Sequence, residues 1–371
     1  MLVAVVGAGI MGASLALHFA GNEMTVLLFD GAAAGSGATG SSFACLNFFA
    51  GATSGYMQFS SEALDYHVEL ARQIGLVDTI RATGTLRWST DSIQNKKLLQ
   101  AGSMAEGLGR TVEYLSRNDA LNLEPNLSIV GCPEVILRAP QEGWLDSVHF
   151  TKRTIDAAVA TGLAHRVREK CTRIEPLKQG VVVWTNRTCY LVDAVVLASG
   201  VGINSLLDDL ACEPLVDELR DVLTLIQYFG PPIEHVVFAN HIHFRANGPS
   251  SLIVGNAYDP VGLRDSDVAV KAVRENVSLV RGELKDPSVG ESITAQKGTR
   301  PVPKDGYPIV GRLPGQERIF IAVTPSGVTL APYIPLLLTT EIANETSCEA
   351  LGAFRPERFN PPIGNSPPRL Q

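Results

Sequence analysis

The chain has 371 residues, 45% hydrophobic and 19% charged, which gives ample core and no signature of disorder. Its formal net charge is −7 and it carries no long basic cluster, which argues against nucleic acid as the main partner. A chain of this length exceeds the usual size of one hydrophobic core, so two domains are expected. The six cysteines, at 45, 132, 171, 189, 212 and 348, are scattered, with no CxxC pair and no Cys/His cluster at metal spacing. They read as small buried hydrophobes in a reducing compartment, and no metal site is expected.

The first thirty residues read as strand, glycine turn, helix, strand and acid. An apolar run from Leu2 to Val6 stops at Gly7-Ala8-Gly9-Ile10-Met11-Gly12. A helical stretch follows, and a second apolar strand from Met24 to Phe29 closes on Asp30. Gly7 permits the tight turn, Gly9 lets backbone approach a pyrophosphate, and Gly12 lets the helix pack close to its strand. The helix N-terminus presents free N–H groups to phosphate charge. Asp30 stands 18 residues beyond Gly12, where a carboxylate can take both hydroxyls of a ribose. A bare GxGxxG is a weak signal; the strand, the helix and the placed acid together make it a dinucleotide turn. The apolar N-terminus has no basic n-region, so it is not expected to be a signal peptide. No apolar run is long enough to span a bilayer, and the protein is expected to be cytoplasmic.

After Asp30 comes GAAAGSGATGSSFACLNFFAGATSGY, small and glycine-rich. It reads either as a surface loop or as backbone passing close to phosphates, with hydroxyls from Thr39, Ser41 and Ser42; its apolar stretch at Phe43 to Leu46 favours the second. Residues 60 to 74 have helical spacing, with Leu64, His67, Val68 and Ala71 on one side. TGTLRWST reads as a strand, 92 to 109 as a polar helix, and LSRNDALNLEPNLS as a helix start with a proline stop. EVILRA is a further strand, and the turn QEGWLDSVHF leads into the helix TKRTIDAAVATG. VREKCTRIEPL, GVVVWTNR and YLVDAVVLASG give three strands, the last wholly apolar toward its end, as in a buried parallel strand. LTLIQYFG, HVVFANHIHFRAN and SSLIVGNA predict a meander and hence a second sheet. Residues 264 to 284 return to helix, and the end reads strand–turn–strand–helix before a proline-rich, irregular tail. The expected class is α/β: a Rossmann-like nucleotide domain from 1–45, 146–205 and 296–371. A second α+β domain, built on a mainly antiparallel sheet, takes 46–145 and 206–295.

Four segments together carry a resemblance: GAGIMG with Asp30, SGATGSS, VVLASG, and GTRPVPKDGYPIVG followed by TPSGVTLAP. The chain resembles the FAD-dependent amine and amino-acid oxidoreductases of the D-amino-acid oxidase, glycine oxidase and sarcosine oxidase-like (DAO) family, whose FAD domain is of the glutathione-reductase type. GWLD before a helix and RPERF near the end also fit, so the resemblance spans essentially the whole chain. It implies that Gly7, Gly9, Ile10, Met11 and Gly12 hold the FAD pyrophosphate and that Asp30, where the family more often has glutamate, binds the adenosine ribose. It places Thr39, Ser41 and Ser42 along the pyrophosphate and flavin, Cys171 at the adenine, and Gly200 by the ribityl chain. Gly311 and Ser326, Gly327, Val328 and Thr329 fall at the pyrimidine end of the isoalloxazine, where N–H groups at a helix start stabilise negative charge on reduced flavin.

Arg300 resembles the family's carboxylate-binding arginine, since a guanidinium takes a carboxylate bidentately. The alternative for Arg300 is a surface or strand-pairing arginine. The implied chemistry is oxidation of a C–N bond to an imine by hydride transfer to flavin N5, followed by hydrolysis. The substrate is then an amine or amino acid, and oxygen or a redox partner takes the electrons. An alternative is the catalytic, beta-type subunit of a hetero-oligomeric opine- or proline-type dehydrogenase. A flavin scaffold without turnover and a plain NAD enzyme are further rivals, the latter disfavoured by the closing segment. No cysteine lies in 213–347, so FAD is expected to be non-covalent, with Cys45 the remaining point of attachment. His241 and His243 alternate in HIHF but make an incomplete metal site and read as sheet-surface residues. His67 reads as helix packing. Trp144, Tyr56, Tyr228 and Tyr258 are candidates either for core or for an aromatic substrate pocket.

Overall fold

A strand buried on both faces sets the architecture. In β1 (Leu2–Val6), Val3 and Val5 enter the apolar cluster beneath α1 (Ile10–Gly21), while Ala4 and Val6 enter a second cluster on the opposite face. A computed structural model of the chain describes residues 1–49, 53–131, 133, 135–208, 210, 212–213, 215–256 and 265–359. Within it, β1 lies between β2 (Thr25–Phe29) and Ala194–Leu197, parallel to both. The sheet extends to Ala164–Val167 beyond β2, and to Ile319–Val323 and the antiparallel edge Ile309–Arg312 on the other side. The continuous apolar runs of β1, Ala194–Leu197 and Ile319–Val323 follow from this two-sided burial.

The second sheet has eight strands, in the order Val289–Pro303, Val216–Tyr228, Ser251–Asn256, Ile242–Ala246, Val236–Ala239, Thr85–Trp88, Ile136–Ala139 and Glu113–Leu115. All its pairings are antiparallel except Val236–Ala239 with Thr85–Trp88. One face packs on the helix Asp265–Glu283 around Ile226, Phe244, Val254, Val277 and Val280. The other face turns toward the nucleotide sheet. The first strand is longer than expected and runs unbroken through position 296, where the sequence divides the two domains.

Local chemistry explains where elements begin. The helix expected from 60 starts at Ser54 because Thr53 accepts the Tyr56 N–H and caps it. Asp91 caps Ser92–Gly107 through Ile93 N and Gln94 N, and Ser116 with Asp119 forms a capping box for Arg117–Leu123. Asp146 accepts His149 N–H, so GWLD ends in a helix cap. Gly143–Leu145, read from the sequence as part of a turn, is a short strand between Cys45–Leu46 and Ile80–Arg81. A Cβ on Gly143 would overlap the Arg81 carbonyl, so only glycine admits that approach.

YLVDAVVLASG is likewise two strands in two sheets, Cys189–Val192 and Ala194–Leu197. Asp193 marks the break: its carboxylate accepts Leu2 N–H at 2.6 Å and its own N–H donates to Leu2 O at 2.9 Å. VREKCTRIEPL also reaches into two sheets: its first residue, Val167, ends the nucleotide-sheet strand Ala164–Val167, and the rest supplies Cys171–Leu177 of a separate three-stranded sheet. Among the described residues no helix is long and apolar enough to cross a membrane. The proline-rich tail from 360, Tyr258 and Cys132 lie outside the described residues.

Candidate active site

Between the two sheets lies a cavity of about 690 Å³, within the ~300–1,000 Å³ usual for cofactor and ligand clefts. Its floor is the turn after β1. Gly7 has φ +110, and a Cβ there would come within 2.6 Å of Ala198 O and 2.8 Å of Ser199 Cα. Gly12 packs so tightly over the turn that its Cβ would overlap the Gly7 carbonyl oxygen. Gly9 occupies the N-cap of α1 and supplies no side-chain cap; Thr39 Oγ1 takes the Ile10 N–H, and the next N–H groups of the helix end have no side-chain cap among the described residues. Asp30 accepts Ala8 N–H at 2.7 Å through Oδ2 and Ala32 N–H at 2.8 Å through Oδ1. Each carboxylate oxygen keeps lone-pair capacity for a ribose hydroxyl.

The small-residue loop is exposed at 31–33 and 36–38 but packs over this turn from Thr39 onward. Thr39 is buried, accepts Ile10 N–H at 3.0 Å, and receives Ser147 Oγ–H on its carbonyl at 2.9 Å. Ser42 Oγ accepts Ala44 N–H at 2.9 Å, and Ser41 lies where a Cβ on Gly298 would fall. The closing segment is tied to the same loop. Thr329 donates to Cys45 O and accepts Asn47 N–H, both at 3.3 Å, and Tyr56 OH donates to Ser326 Oγ at 3.2 Å. Ser326 begins the short helix Gly327–Leu330. Residues nearly three hundred positions apart thus close one wall.

Of the residues singled out in the sequence, Gly7, Gly9, Ile10, Met11, Asp30, Thr39, Ser41, Ser42, Cys171, Gly200, Arg300 and Ser326 to Thr329 line this cavity. Gly12 sits behind the turn as a packing residue. Gly311 stands apart from the lining: its φ is +131, and the guanidinium of Arg355 fills the space beside it. Arg300 lines the cavity while its Nε donates to Asp221 Oδ2 at 2.9 Å and its Nη2 to the same oxygen.

The sequence reading missed the wall formed by the second sheet. Arg87, Phe238 and His243 are direct cross-strand neighbours, followed by Gly255, so they form one row across four strands. Phe238 stacks on His243 with centroids 5.9 Å apart, and Phe43 meets the His243 ring edge-on at 4.5 Å. His243 therefore lies under the 39–45 loop, not on an open sheet surface as expected, while His241 is exposed just before the strand. Burial, then the charges of Arg300 and Arg87, lower the His243 pKa to about 4, so its ring is neutral at pH 7.

Trp144 packs against the Arg245 guanidinium at 4.1 Å, and Tyr228 bonds Asn126 and Pro231 O; neither lines the cavity. His67 is fully buried against Phe150 on its helix, as its spacing suggested. Cys45 lines the cavity, and burial, reinforced by the negative charge of Glu142, pushes its thiol up to about 12. Among the described residues no group of three or more His, Cys, Asp or Glu side chains is placed to hold a metal ion.

A glycine turn, a cavity-lining acid at the end of the next strand and a closing segment returning to the first sheet are the arrangement of a dinucleotide-binding oxidoreductase. The family model described as "FAD dependent oxidoreductase" (DAO) matches residues 3–340, and the chain belongs to that family. It is 23% identical over 375 residues to glycine oxidase of Geobacillus kaustophilus (strain HTA426), covering 98% of each protein. The crystal structure of glycine oxidase from Geobacillus kaustophilus superposes with a TM-score of 0.84 at 20% identity, over 95% of this chain and 97% of that one. L-proline dehydrogenase from P. horikoshii also gives 0.84, at 16% identity, over 96% and 97%. These structural likenesses establish the fold.

Proposed function

We propose that the protein oxidises the C–N bond of an amino acid or secondary amine to an imine, which water then hydrolyses. The single observation that carries this reading is the shared cavity, which the glycine turn and Asp30 line together with Arg300 and a row of aromatic and cationic side chains. FAD bound there supplies a two-electron, hydride-accepting centre. The turn at Gly7 to Met11 and Asp30 hold its diphosphate and ribose, and Thr39, Ser41, Ser42 and the Ser326–Thr329 segment run alongside. Arg300 takes the substrate carboxylate and fixes the reacting carbon, while Phe43, Phe49 and Phe238 exclude water. The relatives act on compatible molecules by name, glycine and proline among them. Free thiols at Cys189 and Cys212 support a reducing, cytoplasmic setting.

The deciding experiment is an anaerobic screen of D- and L-amino acids, N-methyl amino acids, opines and simple amines, read by bleaching of the flavin. Bleaching should slow when the α-carbon is deuterated. No bleaching by any amine ends this reading. The reduction rate at limiting substrate should rise from pH 6 toward pH 10, because hydride loss needs the neutral amine. His243, with its pKa near 4, has already lost its proton across that range and is not the source of the rise. A rate independent of pH would refute the requirement for the neutral amine.

FAD should be non-covalent. The buried Cys45 thiol, with its pKa raised to about 12, forms little thiolate, and the thiolate is the nucleophile that attachment needs. Acid precipitation should leave all yellow colour in the supernatant; colour in the pellet would overturn the point.

A further inference from the structure

Arg87 is held more elaborately than its ion pair requires. Its Nη2 donates to Glu142 Oε2 at 2.8 Å, its guanidinium carbon lies 4.0 Å from the Phe238 ring centroid, and Phe49 stands at 5.1 Å. Glu142 is fully buried and already accepts Phe48 N–H at 2.8 Å, Phe49 N–H at 3.3 Å and Thr85 Oγ1–H at 2.5 Å. The arginine adds a single nitrogen to this set. An arginine whose whole task was to balance that carboxylate would meet it fork to fork. Instead Nε and Nη1 have no acceptor among the described residues, and the side chain lines the cavity. Arg87 is thus a planar, pre-oriented cation with donors to spare, and both it and Arg300 act on the one His243 ring between them.

We propose that Arg87 is a second anion-binding position of this cavity, and that the substrate is an amine carrying two acidic groups, one on Arg300 and the other on Arg87. An N-carboxyalkyl amino acid has this chemistry. The substrate class rests on the amine-oxidation reading above; the two-anion site does not.

Thiodiacetate and methylthioacetate separate the two, because neither contains a C–N bond and they differ by one carboxylate. Binding to the holoenzyme is read from perturbation of the flavin visible spectrum. Thiodiacetate should bind at least about tenfold more tightly, as expected for one added charge-assisted contact. That advantage should fall close to one in the paired variant Arg87→Met/Glu142→Gln, which removes both charges together, and should persist in part in Arg87→Lys. Equal affinities in the parent protein, or an advantage unchanged in the paired variant, would overturn the proposal. If thiodiacetate is preferred and no amine bleaches the flavin, the two-anion site stands and amine oxidation falls. If amines bleach the flavin without any preference for two carboxylates, the outcome is reversed.

Discussion

Replacing Arg300 with methionine is expected to cut kcat/KM for a carboxylate-bearing substrate by roughly 30- to 1,000-fold, mainly through KM, with FAD content unchanged. The magnitude corresponds to losing a bidentate, charge-assisted contact of about 2–4 kcal/mol. The competing account is that Arg300 exists to pair with Asp221 across neighbouring strands. That pair is half exposed on the arginine side, at 49%, and such pairs contribute about 0–1 kcal/mol. If pairing were its only role, the methionine variant would lose a little stability and keep its kinetics. Asp221→Asn tests the opposite direction. With its counter-charge gone, Arg300 should hold a substrate carboxylate more strongly, and KM should fall. An Arg300→Met enzyme of normal efficiency toward an identified amino-acid substrate would remove Arg300 from the substrate site.

The nucleotide half was legible in the sequence because its constraints are local. Gly7, Gly9 and Gly12 sit within six residues, each position is dictated by backbone geometry, and Asp30 follows at the end of the next strand. The opposite wall was not legible, for an equally physical reason. Arg87, Asp221, Phe238, His243 and Asn256 come from five different strands, one residue each. No segment contains two of them in a pattern that backbone chemistry would require. Register alone brings Arg87 opposite Phe238 and Phe238 opposite His243, and register is set by pairing across the sheet. The alternation in HVVFANHIHFRAN did contain the face of each strand, but not what would cover that face. From the sequence alone His243 therefore reads as sheet surface, although Phe43 of the 39–45 loop lies on it. The split of YLVDAVVLASG was hidden similarly: Asp193 is an unremarkable acid until Leu2 is seen to bond with it.

Gly12→Ala and Gly9→Ala should separate folding from cofactor binding at the same turn. A methyl group on Gly12 meets backbone: it would overlap the Gly7 carbonyl oxygen and lie 3.0 Å from its carbon. Neither partner can rotate away, since Gly7 is itself confined by Ala198 and Ser199 and its N–H is bonded to Phe29 O at 2.8 Å. Relief requires α1 to lift from β1, which opens the cluster containing Leu15, Phe19 and Phe150. We expect a loss of more than about 4 kcal/mol, a colourless protein, and a melting temperature far below that of the parent. At Gly9 the nearest atom to a new Cβ is the Thr39 hydroxyl at 3.2 Å, a side-chain contact that can yield. Gly9→Ala should therefore fold and melt close to the parent apoprotein, yet bind FAD weakly, because the methyl group holds the pyrophosphate off the helix end. Gly21→Ala serves as the control. It lies in the last turn of the same helix with nothing within 4 Å of its Cβ, and should be neutral or stabilising by up to about 1 kcal/mol. The measurements are the melting temperatures of apoprotein and holoprotein and the flavin content of each variant. A yellow Gly12→Ala protein with an unchanged melting temperature would mean that the closeness of helix and turn is not what holds this site together.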